Sequence, residues 1–400
     1  ARNFSCMARA FRLAPLLLLL PVLIAATPAS AGHVDLDELV QIAPWDVLDT
    51  ITEPQFNDAP YVLPQDEVVG LAIGNESHTY PLKLMNWHEV INDEVGGVPV
   101  VVSYCPLCGS AIANERDANG TVLTFRTSGL LFRNNKVMFD VETQSLWPQI
   151  LGEAINGSFH GTRLRFLPTA RMSFGEWKGL HPDTQVVGRP WGEVLCPAPC
   201  RVPAGFEGYG VNPYAQYQAG NETFAPILFN DTRLHPKTFV AGVERGGDAW
   251  AIPLPQLLAR RAVVETVGEE SLVAAVVVHP DRPTLPPSVH VYEAGEHEFE
   301  VDPVLNELID DEGGRYAIAT GQGSGGTLDP VRFFYGFWFA WNDLHPDSRV
   351  FGVEGSPGFD PALLLVVGAL GLGTLLALLV VRRWRRRKHP PHGTRGGEGT

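Results

Sequence analysis

The chain has 400 residues, with 30 Lys or Arg against 45 Asp or Glu, so its formal net charge is −15. This length allows two or three ordinary domains, and 45% apolar residues are enough to form their cores. The acidic balance excludes nucleic acid as the main partner, because no excess of cations is available to neutralise phosphates. Five cysteines in a chain of this length also exclude a small scaffold held together by disulfides.

The first 31 residues have the pattern of a secretory signal peptide. Arg9 and Arg12 precede an apolar run at 13–26, and Ala29-Ser30-Ala31 is a small-x-small cleavage site. We therefore expect residues 1–31 to be removed and the mature chain to begin near Gly32.

A second apolar run, residues 361–381, contains no charge, and six cations follow it within seven residues. At 1.5 Å per residue these 21 residues cover about 30 Å, the thickness of a bilayer core. The run therefore predicts one transmembrane helix, joined by a linker at 353–360 and followed by a basic cytoplasmic tail at 382–400. Together with the signal peptide it predicts a type I single-pass cell-membrane protein whose ectodomain lies outside the cytoplasm. The membrane is the one partner that the sequence identifies, and it specifies neither a protein nor a glycan partner.

The ends of the chain partly hide the acidity of the ectodomain. The leader contributes +3 and the tail +6, so the residues between them carry −24. The same region contains five Asn-x-Ser/Thr sequons, an excess that fits an N-glycosylated surface protein. They lie at Asn75, Asn119, Asn156, Asn221 and Asn230. The competing interpretation is that the Asn-Gly pairs are simply turns.

Two blocks of the ectodomain occur twice in the same order. Residues 70–96 match residues 242–268 without a gap, and residues 174–188 match residues 338–352. The second block includes a tryptophan and Leu-His-Pro-Asp in both copies. The repeats predict two tandem related lobes. We place an N-terminal segment at 32–59, lobe 1 at 60–190, a connecting loop at 191–231 and lobe 2 at 232–352.

Within each lobe the pattern predicts mainly β structure with short helices, an α+β fold. Alternating apolar residues at 68–73 and 77–80 surround a Gly74-Asn75 turn, which is typical of a hairpin. Pro81 suits the first turn of a following short helix.

Four cysteines remain after removal of the leader, in Cys105-Pro106-Leu107-Cys108 and Cys196-Pro197-Ala198-Pro199-Cys200. For the first pair three interpretations stay open: a transition-metal site, a structural disulfide and a redox dithiol. For Cys196 and Cys200 a local disulfide is favoured. Lobe 2 has no cysteine, and with a two-residue insertion His279 falls at the position of Cys105. Shared positions are best explained as scaffold, so the cysteines that lobe 2 lacks are the better functional candidates.

A family resemblance rests on blocks that follow one another from the first cysteine pair onward. They are Ser103-Tyr104-Cys105-Pro106-Leu107-Cys108-Gly109-Ser110-Ala111, Phe125-Arg126-Thr127-Ser128-Gly129-Leu130-Leu131, Val137-Met138-Phe139-Asp140, Thr143-Gln144-Ser145-Leu146-Trp147 and Gly152-Glu153-Ala154-Ile155. This order resembles the extracytoplasmic family known as domain of unknown function 3179, over about residues 60–352. The resemblance implies a secreted or anchored protein and brings no established activity. It implies that a shared site lies at Cys105, Cys108, Ser128, Met138, Asp140, Ser145 and Trp147.

We therefore expect one site in lobe 1, around Cys105 and Cys108, that binds a metal or performs thiol-redox chemistry. Copper, zinc or iron would suit thiolates, with Met138 as a further ligand, and Ser128, Asp140, Ser145 and Trp147 as pocket residues. The alternative is a non-catalytic surface module in which the two cysteines form a structural disulfide. Whether the protein is an enzyme is left open by the sequence.

Overall fold

The computed structural model describes residues 36–57, 61–188, 209–279 and 281–353. They form a mainly β structure with several sheets and a few short helices, which confirms the predicted fold class in this coarse form. No helix in these ranges has the length and apolarity needed to cross a membrane. The predicted signal peptide, transmembrane run and tail, together with Cys196 and Cys200, lie outside the described residues.

The first part of the chain contributes fifteen of the described strands and two of the described helices. A short 3₁₀ turn at Leu36–Glu38 comes first, and the other elements are β1 Leu39–Gln41, β2 Gln55–Asn57, β3 Glu67–Ile73, β4 Glu76–Pro81, α1 Leu82–His88, β5 Val90–Val95, β6 Val98–Cys105, β7 Ser110–Glu115, β8 Asp117–Ala118, β9 Thr121–Val122, β10 Phe125–Phe132, β11 Asn135–Asp140, β12 Leu146–Pro148, β13 Phe166–Leu167, β14 Ala170–Ser173, α2 Phe174–Leu180 and β15 Gln185–Gly188.

The second part contributes the remaining described elements. They are α3 Ala215–Ala219, β16 Phe239–Arg245, β17 Asp248–Pro253, α4 Leu254–Arg260, β18 Ala262–Val267, β19 Glu270–Val277, β20 Ser288–Glu293, β21 Phe299–Asp302, β22 Glu307–Asp310, β23 Arg315–Ala317, β24 Gln322–Gly323, β25 Gly326–Thr327, β26 Phe334–Phe337, α5 Trp338–Asn342 and β27 Arg349–Val350.

One sheet topology occurs in both parts. The strands β14-β3-β4-β15 and the sheet β26-β16-β17-β27 each combine two antiparallel pairings with one parallel pairing. In the first sheet β2 adds a further antiparallel pairing beside β15. The sheets β13-β7-β6-β5 and β18-β19-β20 also correspond, through the antiparallel meander β5-β6-β7 and its counterpart. The remaining sheets, β1-β10-β11-β12, β21-β22-β23-β24-β25 and β8-β9, have no such counterpart among the described residues.

A glycine and a tryptophan hold each copy of the shared sheet together. A Cβ atom on Gly70 would collide with the indole ring of Trp177, and one on Gly242 would collide with Trp341. Only glycine lets the short helix lie this close to the strand. Each indole nitrogen then donates to a hydroxyl seven residues later, at 3.0 Å to Thr184 and 2.9 Å to Ser348.

The histidine of each Leu-His-Pro-Asp block belongs to this scaffold. The ring of His181 lies 4.0 Å from that of Trp177, and the ring of His345 lies 4.1 Å from that of Trp341. The backbone N–H of His181 donates to the carbonyl oxygen of Trp177 at the end of α2, and the backbone N–H of His345 donates to that of Trp341 just beyond the end of α5. The repeated block therefore packs and terminates the helices.

The two parts contact each other reciprocally, with β14 against β20 and β26 against β7. One consequence concerns the first cysteine pair, which β26 and α5 cover. The N–H of Phe337 donates to the carbonyl oxygen of Cys108 at 2.8 Å, and both cysteines belong to a core cluster that includes Trp338 and Trp341.

The strand register corrects one sequence interpretation. Val90 pairs with Ser103 and Ala262 pairs with Ala275, so the offset of 172 continues through β6 and β19 without an insertion. Cys105 pairs with Ser110, and Val277 pairs with Ser288. The residue that takes the position of Cys105 is therefore Val277, and His279 lies two residues beyond it.

Candidate functional site

The Cys-Pro-Leu-Cys turn closes the end of β6 onto the start of β7. The N–H of Gly109 donates to the carbonyl oxygen of Cys105 at 2.8 Å, which bends the chain back within four residues. Gly109 has φ of +68°, a left-handed conformation that favours glycine. The turn therefore returns Cys108 to the vicinity of Cys105.

The two thiols are free, buried and unequally surrounded. The backbone N–H of Cys108 donates to the sulfur of Cys105 at 3.4 Å. The sulfur of Cys108 lies 3.2 Å from the hydroxyl of Ser110, which donates to the side-chain oxygen of Gln149 at 2.9 Å. Gln149 in turn donates to the carbonyl oxygens of Ser103 and Ser110, so a polar network closes the space behind Cys108.

This asymmetry separates the acidities of the thiols. Burial opposes ionisation of Cys105, but hydrogen bonds from the Cys108 thiol and N–H outweigh it and lower the pKa of Cys105 below its ordinary value. Burial, together with the bond to Cys105, raises the pKa of Cys108 well above its ordinary value. The thiolate is the nucleophilic form, so Cys105 is the more reactive of the two.

Cys105 lies on the wall of a cavity of about 210 Å³. Most of the other lining residues are apolar, and Cys108 is not among them. The apolar lining comes from the N-terminal segment, the cysteine turn and β10, and from Val137 and Phe224: Ile42, Ala43, Val47, Leu48, Pro106, Leu107, Leu130, Leu131, Val137 and Phe224. Because Cys105 is only 1% exposed, this cavity is the space in which a reagent could meet its sulfur.

Three polar side chains form a cluster in the same cavity. Lys136 forms an ion pair with Glu89, and the hydroxyl of Tyr214 donates to the other carboxylate oxygen at 3.0 Å. Glu89 raises and Lys136 lowers the pKa of Cys105. The two charges of the pair therefore act on the pKa of Cys105 in opposite directions.

The position of Glu89 depends on a left-handed residue at the end of α1. Glu89 has φ of +58°, and Arg261 has φ of +70° at the matching end of α4. The same left-handed position is thus occupied by an acidic residue after α1 and by a basic residue after α4. Sequence reasoning missed Glu89 and Lys136; the one available signal was that the repeats differ in charge at this position.

Met138 and Trp147 lie in a different core cluster from the cysteines. They pair across β11 and β12 and pack with Phe125 and Leu123, and neither lines the cavity. On the same strand the cavity is lined by Lys136 and Val137.

Asp140 and Ser145 organise the loop that leads to Trp147. The Asp140 carboxylate accepts hydrogen bonds from the N–H groups of Thr143 and Ser145 and from the Trp147 indole at 2.9 Å. The Ser145 hydroxyl lies 2.6 Å from that of Thr143 and accepts from the N–H of Phe159. These contacts position the loop, and neither residue lines the cavity.

Ser128 lies at an irregularity in β10, where the register with β11 shifts between Thr127 and Leu130. Its hydroxyl donates to the carbonyl oxygen of Val137 at 2.6 Å and accepts from the N–H of Leu130 at 3.1 Å. Ser128 thereby holds the bulge that turns Gly129 and Leu130 toward the cavity.

The remaining predicted residues are less informative. Asn75, Asn119, Asn221 and Asn230 are exposed and Asn156 is half-buried, so their glycosylation stays a prediction. Within the described ranges no three His, Cys, Asp or Glu side chains are grouped in a way that could hold a metal ion.

Comparisons with known proteins agree with the sequence blocks. No curated protein and no solved structure shows a match to this chain. A family model described as protein of unknown function (DUF3179) matches residues 46–348, which include both cysteines, most of the cavity lining and both copies of the glycine–tryptophan scaffold. The predicted resemblance is thereby confirmed, and the chain belongs to the DUF3179 family.

Proposed function

We propose that the protein is a membrane-anchored, extracytoplasmic thiol–disulfide exchange protein with Cys105 as nucleophile and Cys108 as resolving thiol. The location rests on the signal peptide at 1–31 and the apolar run at 361–381, and an oxidising compartment suits such chemistry. The single observation that supports the chemistry best is the polarised pair: the sulfur of Cys105 accepts hydrogen bonds from Cys108 and lies on a cavity wall.

The reaction follows from the two environments. The Cys105 thiolate attacks one sulfur of a disulfide, forming a mixed disulfide and releasing one thiolate. The Cys108 thiol then attacks the Cys105 sulfur, forming the intramolecular disulfide and releasing the second half of the reagent. Its proton goes to a released thiolate. The protein dithiol loses two electrons and the reagent disulfide gains them.

Access to the site limits the reagent to a small molecule. Cys105 is 1% exposed and Cys108 is fully buried, so a folded protein carrying a disulfide does not reach either sulfur without opening the structure. The cavity of about 210 Å³ accommodates a compact reagent with an apolar body.

The experiment uses hydroxyethyl disulfide and peptide mapping by mass spectrometry, which separates Cys105 and Cys108 from Cys196 and Cys200. The wild-type protein is expected to form a Cys105–Cys108 disulfide without a retained adduct. The variant Cys108→Ser is expected to retain one adduct on Cys105. In Cys105→Ser, Cys108 is expected to react with the reagent at least tenfold more slowly than Cys105 reacts in Cys108→Ser. Equal labelling of both cysteines, or none, would contradict the proposal.

Metal analysis and a reduction test on the same proteins distinguish the two other interpretations of the sequence. A two-thiolate site for a soft metal such as Cu(I) uses the same sulfurs. Stoichiometric metal in protein purified without chelator, lost in Cys105→Ser, would favour that role. A pair that is fully oxidised and not reducible in the folded protein would favour a structural disulfide in a surface module.

We also infer that residues 61–188 and 239–350 descend from one duplicated unit. The recurring sheet order, the constant register through β6 and β19 and the two glycine–tryptophan contacts support this inference. In the first copy the scaffold carries the dithiol, and in the second Val277 takes the place of Cys105.

A further inference from the structure

The duplicated scaffold forms two equivalent clefts where the two parts of the chain meet. One is lined by Gly70, Trp177 and His181, and the other by Gly242, Trp341 and His345. The first has a volume of about 260 Å³ and the second about 110 Å³. Because the two clefts share a framework, the lining residues that differ between them determine how their chemical properties differ.

The strand registers identify the differing positions. Gly70 pairs with Ala170 and Gly242 pairs with Phe334, so Arg332 in the second cleft corresponds to Pro168 in the first. In the described part of the chain the first cleft has no Arg, Lys, Asp or Glu in its lining. The second is lined by Arg163, Arg245, Arg332 and Glu244. We call this second cleft the arginine cleft.

Arg332 lacks a carboxylate partner. Its Nη2 donates to the carbonyl oxygen of Ile150 at 2.8 Å, and its guanidinium lies 5.7 Å from the Phe166 ring centre. No Asp or Glu of the described ranges forms an ion pair with it, whereas Arg163 pairs with Glu153 and Arg245 pairs with Glu270.

The surroundings of Arg332 oppose its charge. Burial, followed by the nearby Arg163 and Arg245, lowers the pKa of Arg332 to about 10, although Glu244 and Glu153 act in the opposite direction. Of the three arginines, Arg332 is therefore the one whose charge is not balanced by an ion pair within the described residues.

A second polar side chain, close to Arg332, lacks hydrogen bonds within the described part of the chain. The side chain of Asn114 is fully buried, and neither its amide nitrogen nor its oxygen has a hydrogen-bond partner among the described residues. Its Oδ1 and the Nη2 of Arg332 both lie close to Gly152, at 3.4 and 2.9 Å from where a Cβ on that glycine would be. Asn114 thus lies near Arg332, although it is not itself part of the cleft lining. Buried polar groups in folded proteins are normally bonded, so an unbonded amide beside a guanidinium that bonds only a backbone carbonyl supports a ligand at Arg332.

We propose that the arginine cleft binds a small oxyanion such as phosphate or sulfate, with Arg332 as its main ligand. Guanidinium groups present paired N–H donors that match the oxygens of such ions. Arg163 and Arg245 contribute charge from the rim, and Glu244 opposes binding. The cleft of about 110 Å³ holds an inorganic ion or a single carboxylate or phosphate group.

The test is isothermal titration of the full-length protein, solubilised in detergent, with sodium phosphate and sodium sulfate, and with sodium chloride at equal ionic strength as the reference. Saturable binding of either oxyanion is expected for the wild type. Arg332→Gln is expected to weaken it at least tenfold and Glu244→Gln to strengthen it two- to fivefold. Arg260→Gln, an exposed arginine on α4 outside the cleft, serves as the matched control and is expected to bind as the wild type.

Thermal unfolding keeps the test informative if Arg332→Gln alters folding. That variant is expected to be as stable as the wild type without oxyanion, because it removes an unpaired buried charge, and to lose the oxyanion-dependent rise in melting temperature. Arg163→Gln, at an exposed side chain, is expected to weaken binding two- to fivefold with unchanged melting temperature. No saturable binding in the wild type, or unchanged affinity in Arg332→Gln, would overturn the proposal. Cys105→Ser is expected to bind normally, so the result is independent of the thiol chemistry.

Discussion

The backbone N–H of Cys108 lies 3.4 Å from the sulfur of Cys105 and donates a hydrogen bond to it. This contact lies within the tight turn between β6 and β7, and it makes the two thiols of the pair unequal. Negative charge is favoured on the first sulfur, which lines the cavity, and a proton is favoured on the second, which lies against Ser110. The order of nucleophile and resolving thiol therefore follows from the turn itself.

The Glu89–Lys136 pair is predicted to adjust the reactivity of Cys105. Glu89→Gln removes the charge that raises the pKa of Cys105, so we expect faster alkylation by iodoacetamide at pH 7, by about two- to fivefold. Lys136→Met removes the charge that lowers that pKa and leaves Glu89 buried alone, so we expect slower alkylation and a lower melting temperature.

The double variant Glu89→Gln/Lys136→Met is the control for this prediction. It leaves no unpaired charge, so its stability is expected to approach that of the wild type. If alkylation rates in all three variants equal the wild-type rate in the folded state, the pair has a purely structural role.

His78 is predicted to make stability depend on pH. Its ring is buried between carboxylates, with Nδ1 2.7 Å from Asp93 and Nε2 3.0 Å from Glu76. Burial opposes its charge, but Asp93 and then Glu76 outweigh burial and raise the pKa of His78 above its ordinary value. The stabilisation is therefore fully present below the unfolded pKa of about 6.5 and is lost as pH rises through the higher folded pKa.

Urea unfolding between pH 6 and pH 9 measures this dependence. The wild-type free energy of unfolding is expected to fall across that range, and the fall is expected to shrink in His78→Gln. At pH 6 the substitution should cost about 1–3 kcal/mol, because Asp93 loses a buried charged partner. An identical slope in both proteins would show that other groups control the dependence.

The glycine–tryptophan contacts are predicted to be sensitive to a single methyl group. Gly70→Ala and Gly242→Ala each place a Cβ against an indole ring and are expected to lower the free energy of unfolding by about 1–3 kcal/mol. Gly179→Ala is the matched control, because this helical glycine has no atom within 4 Å of a new Cβ. It is expected to raise stability by up to about 1 kcal/mol. Equal effects at all three positions would contradict a close contact.

Asp140 is predicted to act on the fold and not on the thiols. Asp140→Asn replaces a carboxylate that accepts bonds from Ser145 and Trp147, and should cost about 3 kcal/mol. The alkylation rate of Cys105 in the folded variant is expected to equal the wild-type rate. A selective loss of Cys105 reactivity without loss of stability would show that Asp140 belongs to the site.

The cysteine pair could be found from sequence because its spacing is local and the second copy lacks it. The mainly β class followed from alternating residues and turns, which are also local signals. The cavity partners could not be found in this way. Glu89 and Lys136 are 47 residues apart, and they meet because α1 ends in a left-handed residue, a conformation that the sequence of an ordinary glutamate does not indicate.

Two further sequence predictions differ from the structure, again because strand pairing and loop geometry decide which residues meet. A two-residue gap in the aligned repeats placed His279 opposite Cys105, whereas the ladder hydrogen bonds keep one register and place Val277 there. Ser128, Asp140, Ser145 and Trp147 lie in the blocks that follow the cysteine pair in the sequence, yet each bonds within a bulge or loop. Blocks that follow one another in the sequence are therefore divided in space between the cavity and its supporting loops.

The most direct test of the central claim is the pH dependence of iodoacetamide alkylation at each cysteine of the folded protein, followed by peptide mapping. The structure predicts that Cys105 is alkylated with a midpoint below that of an ordinary thiol, about 8.5, and that Cys108 remains unmodified up to pH 9. Alkylation of Cys108 before Cys105, or a midpoint for Cys105 above the ordinary value, would contradict the polarised pair.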